Sequence, residues 1–340
     1  MKLSIGIVGL PNVGKSSLFK ALTKNDIVVA NYPFATIDPN VGIVQVPDER
    51  LDKLAEMSKS AKKIPAIVEF YDIAGLVKGA SQGQGLGNQF LTHIRETNAI
   101  AHVVRCFQND SIIHVDNSVQ PIRDIETIET ELILKDMETV EKRLTKAESD
   151  ARNGDKIQIA LRDALKEIKQ QLNSGIPLFT TQEEHPDKLE NVGVLKELGL
   201  LTAKPQLFVL NGREEDITDE LRMKIKDLKG DYVVADLSSP TPNLSPLITH
   251  AYSLLNLISF LTTGEDETRA WTIIDGWKAP QAAGTIHTDF EHKFIRADVV
   301  NWKDLLTAGS WVSAKQKGLI RTEGKEYVVK DGDVIEIKHG

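Results

Sequence analysis

A glycine-containing loop near the N-terminus constrains the fold more than any other segment of this chain. It reads Gly9-Leu10-Pro11-Asn12-Val13-Gly14-Lys15-Ser16, follows an apolar run at residues 5–8 and leads into helical spacing at residues 17–22. A strand, a G-x-x-x-x-G-K-S loop and a helix in that order are the context of a phosphate-binding loop. The loop amides and the helix N-terminus point at an anion, the lysine reaches the β- and γ-phosphates, and the serine hydroxyl binds Mg²⁺. This context favours a nucleoside triphosphate site over a chance match in a turn.

Composition and charge narrow the class of protein. The chain has 340 residues, of which 26% are charged and 41% hydrophobic, and its net charge is -8. That length predicts about two or three domains, and the acidic balance argues against a general nucleic-acid binder, so no DNA partner is expected. The single cysteine, Cys106, lies in an apolar run where a buried small residue is expected. No segment reaches the roughly 18 apolar residues of a membrane span. We therefore expect a cytoplasmic protein with no membrane partner.

A candidate Mg²⁺ ligand follows the phosphate loop. Residues 41–46 and 66–71 are predicted strands, and the second runs into Asp72-Ile73-Ala74-Gly75. An acidic residue at a strand end presents its carboxylate to Mg²⁺ in nucleotide switch proteins, and Gly75 is then placed to donate its amide to the γ-phosphate. Residues 76–87 contain four glycines. They are interpreted as a switch segment that the γ-phosphate orders, with a plain surface linker as the alternative.

From residue 125 the composition changes to a helical pattern. Apolar residues alternate at spacings of four and three in residues 133–151 and again in 157–172, on either side of a turn-like segment at 152–155. This predicts an antiparallel helical hairpin with arms of about 20 residues, each roughly 30 Å long. Its mixed charges favour a solvated outer face, although a partner-binding arm remains an alternative.

The α/β pattern resumes near residue 203. Residues 206–210 and 232–235 are predicted strands, and residues 244–261 a closing helix, which makes the hairpin an insertion into a mostly parallel, doubly wound sheet. The remainder is predicted to be a small α+β module with a helix within 282–295. Its predicted strands are residues 270–274, 319–320, 327–329 and 334–337, with hairpin turns at 323–324 and 331–332.

Several of these stretches together resemble the YchF/Obg-like ATPases, a family among the translation-factor-related P-loop NTPases. They are residues 6–17, 31–37, 72–80, 85–91, 105–107, 269–272, 279–284, 286–291 and 294–297. The resemblance implies a Ras-like, OBG-type G domain (1–127 and 203–258), an inserted antiparallel coiled-coil arm (128–202) and a C-terminal β-grasp TGS domain (259–340). It also implies an ATPase switch that contacts the ribosome or its RNA. One departure is that the segment between Leu237 and Asn243 is shorter than the family usually has.

The base-side motif favours adenine. Guanine readers carry N-K-x-D after this strand, whereas this chain has Asn211-Gly212-Arg213-Glu214. Glutamate is longer by one methylene, and Gly212 removes the lysine stem that packs along the base. A site built for one donor–acceptor pattern can reject the other by up to about 10⁴–10⁵-fold. In the family, N-x-x-E marks ATP preference and Gly212 matches a residue with backbone contacts to adenine. The alternative is that Glu214 is a surface acid capping a helix and GTP is tolerated.

The resemblance also implies the remaining site residues. Thr36 matches a switch threonine that ligates Mg²⁺ together with Ser16 and Asp72, with a turn-capping hydroxyl as the alternative. Asn12 matches the asparagine of cation-activated relatives, which suggests that K⁺ replaces an arginine finger. The predicted nucleotide contacts are Asn12, Val13, Gly14, Lys15, Ser16, Ser17, Gly75, Asn211, Gly212 and Glu214.

The catalytic assignment starts from a missing glutamine. Residue 76 is leucine where Ras-like proteins place the glutamine that orients the attacking water. His114 matches a family position proposed to act in its place, and a neutral imidazole positions water or accepts its proton. An ordinary loop histidine is the alternative. Lys15 and His114 are therefore the predicted catalytic residues.

Three functions remain open from the sequence. The first is an ATP-hydrolysing switch acting at the ribosome, and the second is a nucleotide-gated binding module for ribosome or RNA with negligible turnover. The third is an Obg-type GTPase. A small-molecule kinase is disfavoured, because no lid or acceptor pattern accompanies the switch segments.

Overall fold

The strand that precedes the phosphate loop is an interior strand of a six-stranded sheet. The computed structural model describes residues 3–24, 40–73, 93–109, 118–182, 194 and 197–340. The strands of this first sheet are β1 (Ser4–Val8), β2 (Val41–Gln45), β4 (Ile67–Asp72), β5 (Ala99–Arg105), β6 (Gln206–Asn211) and β7 (Asp231–Ala235), and their order is β2-β4-β1-β5-β6-β7.

The first sheet is parallel except at one edge. β1 pairs in parallel with β4 and β5, and the parallel ladder continues through β6 to β7, whereas β2 runs antiparallel to β4. Every residue of β1, β5 and β6 is buried, as expected for strands covered on both faces. The mostly parallel doubly wound sheet is thus confirmed. Because the carboxyl ends of parallel strands meet at one edge, Asp72 lies beside Ile7 and Asn211 beside Arg105.

The helices flank both sheets. They are α1 (Lys15–Leu22), α2 (Glu49–Ser58), α3 (Pro121–Asp150), α4 (Lys156–Asn173), α5 (Phe179–Gln182), α6 (Asp219–Asp227), α7 (Ser245–Leu254), α8 (Ala279–Ile286), α9 (Thr288–His292), α10 (Trp302–Ala308) and α11 (Trp311–Gln316). Across the described ranges, none of the helices has the length and apolarity that crossing a membrane requires.

The predicted helical hairpin is confirmed and is longer on one side. We call α3 and α4 together the helical arm. They are joined by a short 3-10 turn and by Gly154, whose φ is 76°, and the Asp155 carboxylate caps α4 by accepting from the Ile157 amide at 2.9 Å. Val140, Leu144, Leu165 and Ile168 lie in the apolar seam between the helices. α3 has 30 residues rather than about 20 because it begins at Pro121, a residue suited to the first helical turn.

The second sheet combines the C-terminal strands with one strand from much earlier in the chain. It contains β3 (Lys62–Ile64), β8 (Leu257–Thr263), β9 (Glu267–Ile274), β10 (Phe294–Asn301), β11 (Arg321–Glu323) and β12 (Asp333–His339), in the order β11-β10-β12-β8-β9-β3. β3 pairs in parallel with β9, so the segment between β2 and β4 completes the edge of this sheet. α8 overlaps the predicted helical stretch at 282–295 and α9 lies within it, which confirms the α+β character of the module.

Three C-terminal predictions were wrong, and one of them is the strand at 319–320, because the observed strand β11 begins only at Arg321. The predicted closing helix at 244–261 is α7 followed by strand β8, and the break occurs at Asn256, whose φ of 54° is left-handed. Residues 327–329 do not form a β-strand. Val328 makes only a single antiparallel bridge, with Lys278. The short strand β11 pairs with β10, and so does β12, so β11 and β12 do not pair with each other although they follow one another in the chain.

Candidate functional site

The phosphate loop depends on glycine at two positions. Gly9 has a φ of 145° and Gly14 a φ of 109°, backbone conformations that other residues rarely adopt. An added Cβ at Gly9 would lie 2.4 Å from the Val103 carbonyl oxygen, and one at Gly14 would lie 2.4 Å from Asn211 Nδ2. Gly14 directly precedes α1 without a side-chain cap. The first-turn amides of α1 are therefore available to an anion.

Lys15 is buried at the start of α1. Its side chain is buried, and Nζ donates to the Leu10 carbonyl oxygen at 2.6 Å, across the loop. Desolvation lowers the pKa of Lys15 to about 8, an effect that the negative charge of Asp72 partly opposes. The loop thus places a buried amine at the start of α1, with a backbone carbonyl oxygen as its partner.

The other predicted contact residues around the loop differ in exposure. Asn12, with a φ of 61°, Ser16 and Ser17 are exposed, whereas Val13 is buried. Asp72 ends β4 next to β1, and its amide donates to the Asn40 carbonyl oxygen at 2.8 Å. The predicted metal ligands Ser16 and Asp72 thus come from adjoining elements at the same edge of the first sheet.

Asn211 connects the phosphate loop to the base-side strand end. Its side chain is buried, with Nδ2 donating to the Val13 carbonyl oxygen at 2.8 Å and Oδ1 accepting from the Leu237 amide at 3.1 Å. One amide side chain therefore holds the loop after β1 and the loop after β7 together. The sequence predicted a nucleotide contact at this position, and the structure adds this bridging role.

Gly212 and Glu214 follow Asn211 in different environments. The Gly212 amide donates to the Ala235 carbonyl oxygen at 3.3 Å, and an added Cβ would lie 3.2 Å from Cys106 Cβ. Glu214 begins a 3-10 turn, and its side chain is 71% exposed. Its Oε1 accepts from Arg222 Nη2 at 2.5 Å. Glu214 thus lies at the surface beside the base-side edge, paired with an arginine of α6.

Three predicted site residues lie outside the described part of the chain. They are the switch threonine, the γ-phosphate glycine and the candidate catalytic histidine: Thr36, Gly75 and His114. The described residues bring together the phosphate loop, Asp72 and the strand end at residues 211–214. Cys106 is buried, as predicted, and burial raises the pKa of its thiol to about 12.

Sequence reasoning missed a buried histidine behind the phosphate loop. His102 is 1% exposed in the middle of β5, and its ring lies 5.3 Å from the ring of Phe208. Burial, and secondarily the charge of Lys15, lowers the pKa of His102 to about 3, so the imidazole is neutral. The only signal in the sequence was a titratable residue inside an apolar run, and such a run usually means a core position.

Comparison with known proteins identifies the family. A Bacillus subtilis (strain 168) protein named "Ribosome-binding ATPase YchF" is 47% identical over 368 residues, covering 99% of each chain. Proteins of the same name from Escherichia coli O157:H7 and Mycoplasma genitalium are 45% and 46% identical, covering 98% and 99% of each chain. This chain belongs to the YchF family.

Family profiles and a solved structure agree with YchF membership. The profile YchF-GTPase_C, described as a protein of unknown function, matches residues 257–340, and MMR_HSR1, described as a 50S ribosome-binding GTPase, matches residues 4–145. The solved structure of the Schizosaccharomyces pombe YchF GTPase is similar with a TM-score of 0.86 and 37% identity, covering 99% of this chain and 98% of that chain. The likeness to the solved YchF structure therefore extends over nearly the whole chain, and the GTPase profile over its first part.

Proposed function

We propose that this chain is a Mg²⁺-dependent ATPase that acts as a nucleotide switch at the ribosome. The observation that carries the proposal is the Asn211 side chain, which fastens the phosphate loop to a strand end reading N-G-R-E. A guanine-reading aspartate is absent from that motif. Relatives named "Ribosome-binding ATPase YchF" match over almost the full length, which supports ATP and the ribosome as partners, and we propose ribosomal RNA as part of that contact.

The donor set at the phosphate loop fits Mg²⁺. Ser16 offers a hydroxyl and Asp72 a carboxylate from neighbouring elements, and Mg²⁺ prefers such oxygen ligands together with substrate phosphates. We propose that Thr36 completes this set. Bound Mg²⁺ would neutralise charge on the β- and γ-phosphates. Lys15 would bind the same phosphates, while the α1 amides orient them.

Further assignments belong to the same proposal. K⁺ beside the exposed Asn12 replaces an arginine finger, and equal ATPase rates in K⁺ and Na⁺ buffers would argue against it. The protein is cytoplasmic, with a coiled-coil arm at 128–202 and a TGS domain at 259–340 next to a G domain formed by 1–127 and 203–258. Support for this division comes from the helical arm, which lies between β5 and β6 in the chain, and from the second sheet, whose strands follow residue 256 except for β3.

The first prediction concerns base preference. In equilibrium competition with a fluorescent ATP analogue, we expect ATP to displace the analogue at lower concentrations than GTP. The reason is that Glu214 cannot occupy the position of the aspartate that accepts from guanine. Glu214→Asp is expected to narrow the ATP-to-GTP affinity ratio by about 10-fold, within the range that one mismatched polar contact can supply. Glu215→Asp, an equally exposed neighbour, is the control.

The competing assignment is an Obg-type GTPase. It is favoured by two of the similarities, because the fission yeast relative is named a GTPase and the profile matching residues 4–145 describes one. GTP binding at least as tightly as ATP binding in the competition measurement would select it and reject the ATPase proposal.

The second prediction concerns hydrolysis. If His114 positions the attacking water, His114→Ala should lower the single-turnover rate of ATP hydrolysis by about 10²-fold or more, a typical contribution of a general base. ATP affinity should stay nearly unchanged, since His114 is not proposed to hold the nucleotide. His250→Ala, on α7, is the control. Equal rates for wild type and His114→Ala would remove His114 from the mechanism, and negligible turnover with and without ribosomes would favour a nucleotide-gated binding module.

A further inference from the structure

A buried arginine organises the turn that follows β5. Arg105 is 1% exposed and is among the largest fully buried side chains of the described chain. Its Nε donates to the Phe107 carbonyl oxygen at 3.2 Å, and its Nη2 donates to the Asn109 carbonyl oxygen at 3.0 Å. The guanidinium carbon lies 4.7 Å from the centre of the Phe107 ring. All three contacts are made to residues 107–109, so one side chain fixes the course of this turn.

The turn lies directly against the base-side strand end. Arg105 is paired in register with Asn211, and the Cys106 amide continues the ladder by donating to the Asn211 carbonyl oxygen at 2.9 Å. Gly212 follows, with room for no side chain, because its added Cβ would approach Cys106 Cβ to 3.2 Å and Asp216 Oδ2 to 3.1 Å. A shift of the turn would therefore displace Cys106, which lies beside Gly212, the proposed backbone contact to adenine.

The chemistry of arginine suits this task. A buried guanidinium is costly unless its N–H groups are hydrogen-bonded, and the carbonyl groups of Phe107 and Asn109 accept from this one. The planar guanidinium donates in fixed directions and also stacks on an aromatic ring. A lysine ammonium is a flexible point donor, so it can replace one of these contacts but not the set.

We propose that Arg105 is a positioning residue for the purine base. It makes no proposed contact with the phosphates. By holding residues 107–109, it fixes the chain that continues from Cys106, the residue beside Gly212, in the shape that accepts adenine. This inference rests on the proposed function, because it assumes that the base lies beside Asn211 and Gly212.

The test separates base binding from phosphate binding. Affinities for ATP, GTP and inorganic tripolyphosphate are measured by isothermal titration calorimetry with Mg²⁺ for the wild type, Arg105→Met and Arg105→Lys. Arg105→Met should weaken ATP binding about 10-fold, because it removes one to two charged hydrogen bonds. It should also narrow the ratio of the ATP affinity to the GTP affinity. The tripolyphosphate affinity of Arg105→Met should stay within about 2-fold of the wild-type value. The ATP affinity of Arg105→Lys should lie between those of the wild type and Arg105→Met.

A matched control comes from the second sheet. Arg321 also lies over an aromatic ring, with its guanidinium carbon 5.5 Å from the centre of Tyr327, whose hydroxyl accepts from Nη2 at 3.0 Å. Arg321→Met removes the same kind of contact away from the base-side edge, and it should leave ATP affinity unchanged.

Two outcomes would overturn the inference. One is unchanged ATP affinity in Arg105→Met, or in Arg105→Lys if the methionine variant does not fold. The other is an equal loss of ATP and tripolyphosphate affinity, which indicates general damage to the protein. A wild type that binds GTP as tightly as ATP would instead reject the ATPase proposal. The role of Arg105 would then be decided by whether Arg105→Met weakens the binding of nucleoside triphosphates more than the binding of tripolyphosphate.

Discussion

At the scale of single residues, the phosphate-loop lysine carries a charge in a place that disfavours it. Lys15 is buried, its amine bonds one carbonyl oxygen, and desolvation holds its pKa at about 8. The lowered pKa means that the ammonium form is less stable here than in the unfolded chain. In the folded protein Lys15 is therefore mostly protonated only below about pH 8. A triphosphate in the loop would stabilise the same charge and raise the pKa again.

This gives the third prediction, a pH dependence of nucleotide affinity. Below about pH 8 Lys15 is protonated and the affinity for ATP should be level. As the pH rises through that value, the empty site loses a proton that binding must restore, so the dissociation constant should rise by up to about 10-fold per pH unit. Calorimetry in buffers of different ionisation enthalpy measures both the affinity and the proton uptake.

Lys204 provides the control for this titration. Burial also lowers the pKa of Lys204 to about 8, but its amine donates to the carbonyl oxygens of Arg95 and Thr97 at the root of the helical arm. Lys204→Met should therefore keep the wild-type pH profile of ATP affinity. A level affinity from about pH 7 to about pH 10 in the wild type would show that Lys15 does not titrate in this range.

At the scale of secondary-structure elements, local patterns predicted the nucleotide-binding half well. The loop at residues 9–16 is specified by neighbouring residues, and the seam of the helical arm repeats every three or four positions. The predicted helix at 244–261 failed because a short apolar run fits a buried strand as well as a helix. β8 is a strand because β9 pairs with it along one side. β3 becomes the edge strand because it pairs with the other side of β9. Such long-range pairing leaves little signal in the local sequence.

The site shows the same division between local and distant information. The motif at residues 211–214 predicted a base-side contact, yet the bridge from Asn211 to Val13 and Leu237 depends on loops far apart in the chain. The role of Arg105 was equally hidden, since an arginine at the end of an apolar run has no periodic signature.

The root of the helical arm depends on one buried carboxylate. Asp136 of α3 is fully buried and accepts from the Leu201 amide at 2.8 Å, the Thr202 amide at 2.8 Å and the Thr202 hydroxyl at 2.7 Å. These residues form the turn by which the chain returns from the arm to β6. Asp136 thus fastens the start of the insertion to its end.

The fourth prediction concerns this anchor. Asp136→Ala should lower the free energy of unfolding by about 3–5 kcal/mol, because it leaves two buried amides without acceptors. Asp136→Asn should cost about 1–3 kcal/mol, since its amide oxygen can still accept. Glu138→Ala, on the same helix but with a side chain 68% exposed, should stay within about 0.5 kcal/mol. Urea denaturation measures all three, and equal stabilities of Asp136→Ala and Glu138→Ala would refute the anchor.

At the scale of the whole molecule, the two sheets are joined through the segment between β2 and β4. Leu51 and Leu54 of α2 lie in one continuous apolar core with Leu261 of β8 and Leu305 of α10, and β3 is a strand of the second sheet. Arg50 reinforces this junction. Its Nε donates to Asp48 at 2.8 Å and its Nη1 to Asp331 at 2.6 Å. The chain from β2 to β4 therefore contributes to both halves.

The last prediction follows from this shared core: both sheets should unfold in one calorimetric transition. Arg50→Met should destabilise that single transition by about 1–2 kcal/mol, a modest value because the Asp331 carboxylate is 51% exposed and partly screened by solvent. Lys338→Met removes an exposed ion pair with Glu336 inside the second sheet and should change stability by less than about 0.5 kcal/mol. Two separate transitions in the wild type would mean that the halves are independent. In that case nucleotide binding in the first sheet has no rigid path to the second.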